Sequence, residues 1–209
     1  MNKLLILIFT FIFLQNLLAQ EKTLVNPETE ITSGGFGGPV LKYTTLNNHG
    51  GLLVGGRGGW IINHSFILGG GFYGLATEVP VDVLISGDII LKNADNLNMY
   101  YGGLEFEYVV APLQLVHLSF YSLLGMGYVG YRKILENEIC EKECKEKGIS
   151  GDVYFVFEPA INIEMNITTF FRINAGLSYR FTEGAEYQAI ADNNLSGFNG
   201  ILTFKFGNF

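Results

Sequence analysis

Alternating apolar and polar residues fill the stretch from Asp152 to Thr182, with one short interruption at residues 166–168. A period of two is typical of β-strands that have one apolar and one polar face. The stretch therefore predicts two strands joined by a tight turn, both longer than the usual strand of a globular protein. Their apolar positions are Val153, Phe155, Phe157, Pro159, Ile161, Ile163 and Met165, then Phe171, Ile173, Ala175, Leu177, Tyr179 and Phe181.

The polar faces of these two predicted strands carry charges, among them Glu158, Glu164, Arg172 and Arg180. A soluble barrel would bury its apolar face, as in an exported lipocalin-like protein that binds an apolar ligand. A transmembrane barrel does the reverse, with lipid around it and polar groups inside. The length of the strands, the tight turn and the charges favour the transmembrane arrangement, and the soluble barrel is the alternative.

The same alternation predicts six more strands, which gives eight in all. Glycines blur the two faces of the first and third of these strands. The other predicted strands place aromatic residues near both ends of their apolar faces, with Trp60 and Phe171 at one end and Tyr100, Tyr128 and Tyr179 at the other. The six predicted ranges are Thr32–Thr45, Gly51–Ile62, Ser65–Thr77, Leu97–Val110, Gln114–Tyr131 and Gly197–Phe209.

The connections between the predicted strands alternate in length. Short turns are predicted at Asn63-His64, Ala111-Pro112 and Asn166–Thr168, and turn-forming residues at 47–50 make the first connection short as well. Long connections are predicted at Glu78–Asn96, Arg132–Ser150 and Glu183–Leu195. Short turns at one end and long loops at the other are typical of outer-membrane barrels, with the turns periplasmic and the loops external.

On this pattern the chain resembles the OmpA/OmpX-type barrels of bacterial outer membranes. The resemblance implies a closed, antiparallel, eight-stranded up-and-down transmembrane β-barrel whose partner is outer-membrane lipid. The last strand departs from the pattern of that family. Apolar residues are expected there at alternating positions counted back from Phe209, but Phe206, Phe204 and Leu202 fall on the opposite parity.

The beginning of the chain predicts export. Lys3, the apolar run Leu4–Leu14 and the small residue Ala19 before Gln20 are typical of a secretory signal peptide. The expected organisation is a signal peptide at 1–20, a polar lead-in at 21–30 and the barrel at 31–209. The expected location is the bacterial outer membrane.

The net charge of −7 argues against nucleic acid as a partner, since phosphate binding needs a basic patch. The acidic residues are concentrated in the lead-in and in the long loops, as expected for solvated surface. For a barrel with long acidic loops, the expected function is a structural or surface-interaction role, through loops that contact unknown surface or envelope proteins. Neither catalysis nor a cofactor is expected.

Charged residues on the predicted inner faces form the main candidate site. Eight strands enclose a space only wide enough for side chains, so charges inside it must pair. Four carboxylates face four cations, and the turn at 166–168 brings Glu164 close to Arg172, with Lys205 at a similar height. This structural charge network comprises Arg57, Glu105, Glu107, Glu158, Glu164, Arg172, Arg180 and Lys205.

Two weaker motifs, one of glycines and one of cysteines, do not indicate a binding site. GxGxxG spacings occur at Gly69-Gly71-Gly74 and at Gly125-Gly127-Gly130, but both lie within predicted strands rather than before a helix, so a dinucleotide site is not indicated. Cys140 and Cys144 lie in the most charged loop. Their spacing fits no complete metal site, and a small disulfide or two free thiols remain open.

His117-Leu118-Ser119 is the one hint of a nucleophile and a base. The motif is similar to the His-x-Ser of the outer-membrane lipid A deacylases, although Phe120 follows where that family has Asn. The similarity implies a lipid-modifying enzyme as the alternative function, with Glu105 or Glu107 orienting the histidine. The expectation from the residues themselves is that both side chains fill the barrel interior.

Overall fold

The computed structural model describes the backbone of residues 32–46, 49–85, 89–131, 150–185 and 195–209, and the side chains of these residues except 81–95, 131 and 150. The predicted signal peptide, the lead-in, Cys140 and Cys144 lie outside the described residues. Nine strands are described: β1 Ser33–Leu46, β2 His49–Ile62, β3 Phe66–Leu75, β4 Pro80–Ile85, β5 Ile89–Val110, β6 Val116–Tyr131, β7 Ser150–Asn166, β8 Phe171–Glu183 and β9 Gly197–Asn208.

Eight of these strands form a closed barrel, which confirms the predicted fold class. All strands except β4 follow one another around the barrel with antiparallel neighbours, and β3 pairs directly with β5. The barrel closes between the first and last strands, where Val40 pairs with Thr203 and Lys42 with Ile201. In the described part of the chain, no helix is long and apolar enough to cross a membrane.

The connection predicted as a loop at Glu78–Asn96 contains regular structure. β4 pairs with the first part of β5, so that Val83 lies opposite Leu91 and Ile85 opposite Ile89. This hairpin extends β5 beyond the barrel, whose pairing with β6 begins at Leu97. The difference has a local cause, because apolar, mostly β-branched residues stand on both sides of Ser86-Gly87-Asp88 and favour paired strands.

The short turns set the register of the strands that they join. Asn63 and His64 have positive φ angles of 51° and 57°, the conformation that the two central residues of a type I′ turn adopt. Because side chains alternate across a strand, this register decides which residues face inward. On β2 it places Arg57 inside and Trp60 outside.

The outer and inner surfaces have opposite polarity to those of a soluble barrel. Large apolar side chains cover the outside of the strands, and charged and amide side chains lie inside. Representative outward residues, each at least 42% exposed, are Tyr43, Val54, Trp60, Phe72, Leu104, Phe106, Leu124, Met126, Phe155, Ile163, Leu177 and Phe198.

Candidate functional site

The interior contains two groups of polar side chains, called here the turn-end cluster and the loop-end cluster after the nearer end of the barrel. The turn-end cluster consists of Arg57, Glu105, Glu107, His117, Glu164, Arg172 and Lys205. The loop-end cluster consists of Lys42, Tyr101, Glu158, Ser178 and Asn199. Every member is at most 7% exposed.

Arg57 joins two carboxylates in the turn-end cluster. Its Nε donates to Glu105 Oε2 at 2.7 Å, and its Nη2 donates to Glu107 Oε2 at 3.0 Å. The hydroxyls of Tyr73 and Tyr121 donate to the other oxygen of Glu105, at 2.6 and 2.9 Å. Glu105 is therefore neutralised and fully hydrogen-bonded although it is only 1% exposed.

Glycine on β3 makes room for this pair. A Cβ at Gly71 would collide with the Glu105 carboxylate and would lie 2.6 Å from the hydroxyl of Tyr73. Both GxGxxG spacings lie within barrel strands, Gly69–Gly74 in β3 and Gly125–Gly130 in β6. At Gly71 the missing side chain is thus explained by packing against an ion pair.

Lys205 extends the same network towards the turns. Its Nζ donates to both oxygens of Glu107, at 2.9 and 3.0 Å, and also to Glu164. Glu164 accepts further bonds from Arg172 Nη1 at 3.0 Å and from Asn174 Nδ2 at 3.3 Å. The ion pairs thus form one chain from Glu105 on β5 to Arg172 on β8, and tie β2, β5, β7, β8 and β9 together through the barrel.

Glu158 is the centre of the loop-end cluster. Lys42 Nζ donates to its two oxygens at 2.9 and 3.1 Å, Tyr101 donates at 2.7 Å and Ser178 at 2.6 Å. The Lys42 ammonium also lies 3.5 Å from the centroid of the Tyr73 ring, a cation–π contact. Because the Tyr73 hydroxyl binds Glu105, this ring connects the two clusters.

The sequence pattern does not reveal Lys42 as an interior residue. Glycines in the first half of β1 hid the alternation, so no inward face was assigned to that strand. A usable signal was present in its second half, where Leu41 and Tyr43 are exposed and Val40, Lys42 and Thr44 are buried.

Arg180 differs from the other interior cations. It is fully buried, and among the described residues its hydrogen bonds go to uncharged acceptors. Its Nε donates to the Leu195 carbonyl at 2.8 Å, Nη1 to Asn199 Oδ1 at 3.2 Å and Nη2 to Thr44 Oγ1 at 3.4 Å. Arg180 therefore fixes the end of the β8–β9 connection to the barrel rather than neutralising a carboxylate directly.

Apolar layers close the polar interior at both ends. At the loop end, Val79, Ala185 and Leu195 come from the connections and pack with strand residues such as Leu53 and Leu97. At the turn end the layer consists of Phe36, Ile61, Ile67 and Val109, with Phe209 packed against it.

Phe209 lies on the inner side of the barrel wall. Its ring stacks with Phe36 at a centroid distance of 6.4 Å and lies 4.0 Å from the Arg172 guanidinium. Phe206, by contrast, is 47% exposed on the outside of the barrel. Phe209 and Phe206 thus face opposite sides of the wall, which explains why they fall on opposite parities in the sequence. The charged residues are thus enclosed between two apolar layers.

The amide-rich region beside the turn-end cluster is less completely bonded. Among the described residues, Asn162 Oδ1, Asn174 Oδ1 and Thr203 Oγ1 are buried and have no hydrogen-bond partner. Asn162 and Thr203 line a narrow gap between the two clusters, together with Lys42 and Arg57. The charged groups of the interior are therefore hydrogen-bonded, whereas some of its neutral polar atoms lack a hydrogen bond.

His117 and Ser119 are both buried, but they bind different groups. His117 Nδ1 lies 3.1 Å from the Gln114 carbonyl and Nε2 lies 3.1 Å from Glu164 Oε1. Ser119 Oγ accepts from the amides of Asn162 and Asn174 at 3.4 and 3.5 Å. A serine nucleophile needs a hydrogen bond to its base, and the described residues do not place the two side chains in that relation. They also contain no group of His, Cys, Asp and Glu that could hold a metal.

Comparison with solved structures gives a match over almost the whole barrel. The crystal structure of Neisserial surface protein A (NspA) superposes with a TM-score of 0.54, covering 86% of this chain and 99% of that chain at 10% sequence identity. The fold is that of the eight-stranded outer-membrane barrels. At this low sequence identity the match establishes the fold alone. The roles of the interior side chains follow only from their own contacts.

Two other solved barrels are similar to this eight-stranded barrel at lower scores. The N-terminal β-barrel domain of Pseudomonas aeruginosa OprF matches with a TM-score of 0.48 and 12% identity, over 85% of this chain and 99% of that one. Ail, the attachment invasion locus protein of Yersinia pestis, matches with a TM-score of 0.45 and 12% identity, over 86% and 99%. No protein-family model matches the sequence, and no curated protein matches it either.

Proposed function

We propose that this protein spans the bacterial outer membrane as a closed scaffold, without catalysis, and presents its long connections for contacts with surface or envelope proteins. The observation that carries the proposal is the inverted polarity of the barrel. Glu105, Glu158 and Lys205 are at most 1% exposed inside, whereas Leu104, Phe155 and Leu177 are at least 60% exposed outside. Such a surface is stable against lipid and would aggregate in water.

The height of the apolar surface supports this proposal. On β5 the outward residues run from Tyr100 to Val110. With a rise of about 3.4 Å per residue and a tilt of about 40°, they span roughly 25 Å, the height of the apolar band in outer-membrane barrels. Aromatic pairs lie at both ends of the band, Phe66 with Tyr108 near the turns and Tyr100 with Tyr128 near the loops.

The packed interior supports a scaffold rather than a channel. Water-filled pores require more strands or an unpaired polar interior, whereas here ion pairs fill the middle and apolar layers cover both ends. The parts of the chain left to interact with other molecules are then the long connections. In the proposed orientation these face the outside of the cell, and the short turns face the periplasm.

Cell fractionation and protease accessibility test this proposal together. We expect the protein in the outer-membrane fraction, with faster migration in unheated than in heated detergent gels. Trypsin added to intact cells should cut in the long connections, whose lysines at 133, 142, 145 and 147 are possible sites. Recovery as a soluble periplasmic protein would contradict the membrane part. Cleavage only after cells are opened would contradict the proposed orientation.

A further inference from the structure

The short connections at the turn end differ in polarity, because two of them expose large apolar side chains and the third is polar. Leu113 and Leu115 in the β5–β6 connection are 83% and 67% exposed, and Ile167 and Phe170 in the β7–β8 connection are 45% and 59% exposed. These four residues are called the turn-end ledge. The β2–β3 connection, Asn63-His64-Ser65, has the polar composition usual for a turn in water.

Hydrogen bonds hold the two apolar connections together. The side-chain nitrogen of Asn166 donates to the Gln114 carbonyl at 2.7 Å and to the Pro112 carbonyl at 3.1 Å. Its backbone N–H donates to the Leu115 carbonyl at 2.9 Å. The ledge is therefore an ordered surface made from two connections and is built around one asparagine.

The ledge continues the apolar outer surface of the barrel. Val116 and Met165 are opposite each other in the β6–β7 pairing, next to the ledge, and are 49% and 42% exposed. Phe206 on β9 is 47% exposed and stacks on Phe171, which directly follows the second connection. The exposed apolar residues of the barrel wall and those of the ledge are therefore adjacent.

The lack of charged residues in these two connections indicates which kind of molecule contacts the ledge. Neither residues 111–115 nor residues 167–170 include a charged side chain, and their exposed polar residues are the uncharged Gln114, Thr168 and Thr169. A turn that remains in the headgroup region or in the periplasm gains from charged or polar residues, and a protein-binding surface usually has a polar rim. An uncharged patch continuous with the lipid-facing wall fits hydrocarbon best.

We propose that the side chains of the turn-end ledge are inserted into the membrane, in contact with the acyl chains of the leaflet at the turn end. The polar β2–β3 connection on the other side of the barrel remains at the headgroups. The barrel is consequently tilted, deeper on the side of β6 and β7 than on the side of β2 and β3. This inference rests on the proposed membrane location and adds a lipid-binding surface outside the barrel wall.

Depth-dependent fluorescence quenching tests the ledge. The chain has a single tryptophan, so Trp60→Phe provides a background in which one new tryptophan reports its own surroundings. Leu113→Trp and Leu115→Trp report on the ledge, His64→Trp on the polar connection, and Leu124→Trp on the middle of the barrel wall. Each variant is refolded in phosphatidylcholine vesicles with brominated acyl chains, after heat-modifiable migration has shown that it folds.

We expect Leu124→Trp to lose most of its emission, and both ledge variants to be quenched clearly more than His64→Trp. Quenching of both ledge tryptophans no stronger than that of His64→Trp overturns the ledge proposal and leaves the membrane barrel intact, provided that Leu124→Trp is quenched. Absence of quenching at Leu124 overturns the membrane location itself. Ledge quenching that disappears as the protein-to-lipid ratio rises would assign the surface to a second copy instead.

Discussion

Lys42 and Arg172 are both buried cations, but their surroundings differ. Lys42 is 1% exposed, and within the described residues its ion-pair partner is Glu158. Arg172 is 7% exposed and shares Glu164 with Lys205 and His117. Removing Lys42 leaves a carboxylate without a cation in a closed space, whereas removing Arg172 leaves Glu164 with other partners.

This difference gives a rank order of stability. We expect Lys42→Met to reduce the free energy of unfolding by about 3–5 kcal/mol, the usual cost of breaking a buried ion pair. Arg172→Leu should cost less, and adding Glu158→Gln to Lys42→Met should recover part of the loss. Urea unfolding from lipid vesicles measures all three. An equal effect of both single substitutions would contradict the different pairing described above.

A lipid-facing position provides the control for this series. Leu124 is 61% exposed and lies between Leu104 and Phe157 on the neighbouring strands. Leu124→Arg should destabilise the barrel by about 2–4 kcal/mol if it lies near the middle of the membrane. The loss should not be recovered by Glu158→Gln. If Leu124→Arg is neutral, the outside of the barrel does not face lipid.

At the scale of elements, the β4–β5 hairpin is an addition to the barrel rather than part of its wall. In the barrel wall β3 pairs with β5 through residues 66–74 and 100–108, so the wall is continuous without the hairpin. Pro80 and Asn96 lie opposite each other at the base of the hairpin, so a short linker can replace the residues between them. Val79 and Leu97, which belong to the apolar layer at the loop end, are retained in such a deletion.

We therefore expect that replacing residues 81–95 with a short Gly-Ser linker leaves the barrel able to fold. The variant should show the same heat-modifiable migration as the full chain, and a similar urea midpoint. Replacing Gly71 by Val is the matched comparison, because its side chain would collide with Glu105 inside the wall. Loss of folding in the hairpin deletion, with folding retained in Gly71→Val, would reverse this assignment of roles.

At the scale of the whole molecule, two apolar layers enclose the charges. Leu46, Leu53 and Leu195 are fully buried at the loop end, and Ile61 at the turn end is 2% exposed. Ions or sugars that crossed the barrel would have to displace these layers as well as the ion pairs between them. The arrangement favours a rigid support for the connections over a transport path.

A permeability measurement checks this conclusion. Vesicles that contain the refolded protein should take up a small sugar no faster than protein-free vesicles in a liposome-swelling assay. A larger barrel porin in the same lipid provides the positive control. Swelling above the protein-free rate would show that the apolar layers open, and the scaffold proposal would then have to include transport.

The sequence determined the type of fold and most of its faces. Alternation with period two is local, so Glu158, Glu164, Arg172 and Arg180 could be assigned to one face without knowledge of the neighbouring strands. The number of barrel strands and the alternation of short and long connections follow from the same pattern, whereas β4 lies in a segment predicted as a loop. Where glycines interrupt the alternation, as in the first half of β1, the faces could not be assigned, and Lys42 was not predicted to lie inside.

Only the tertiary structure decided which interior groups pair. Partners in a closed barrel lie on strands far apart in sequence, and their heights depend on the register of every hairpin between them. Lys42 reaches Glu158 across 116 residues and Lys205 reaches Glu107 across 98. The uncharged partners of Arg180, the inward position of Phe209 and the joining of two turns by Asn166 are decided in the same way, since each depends on distances between strands and connections that no local pattern records.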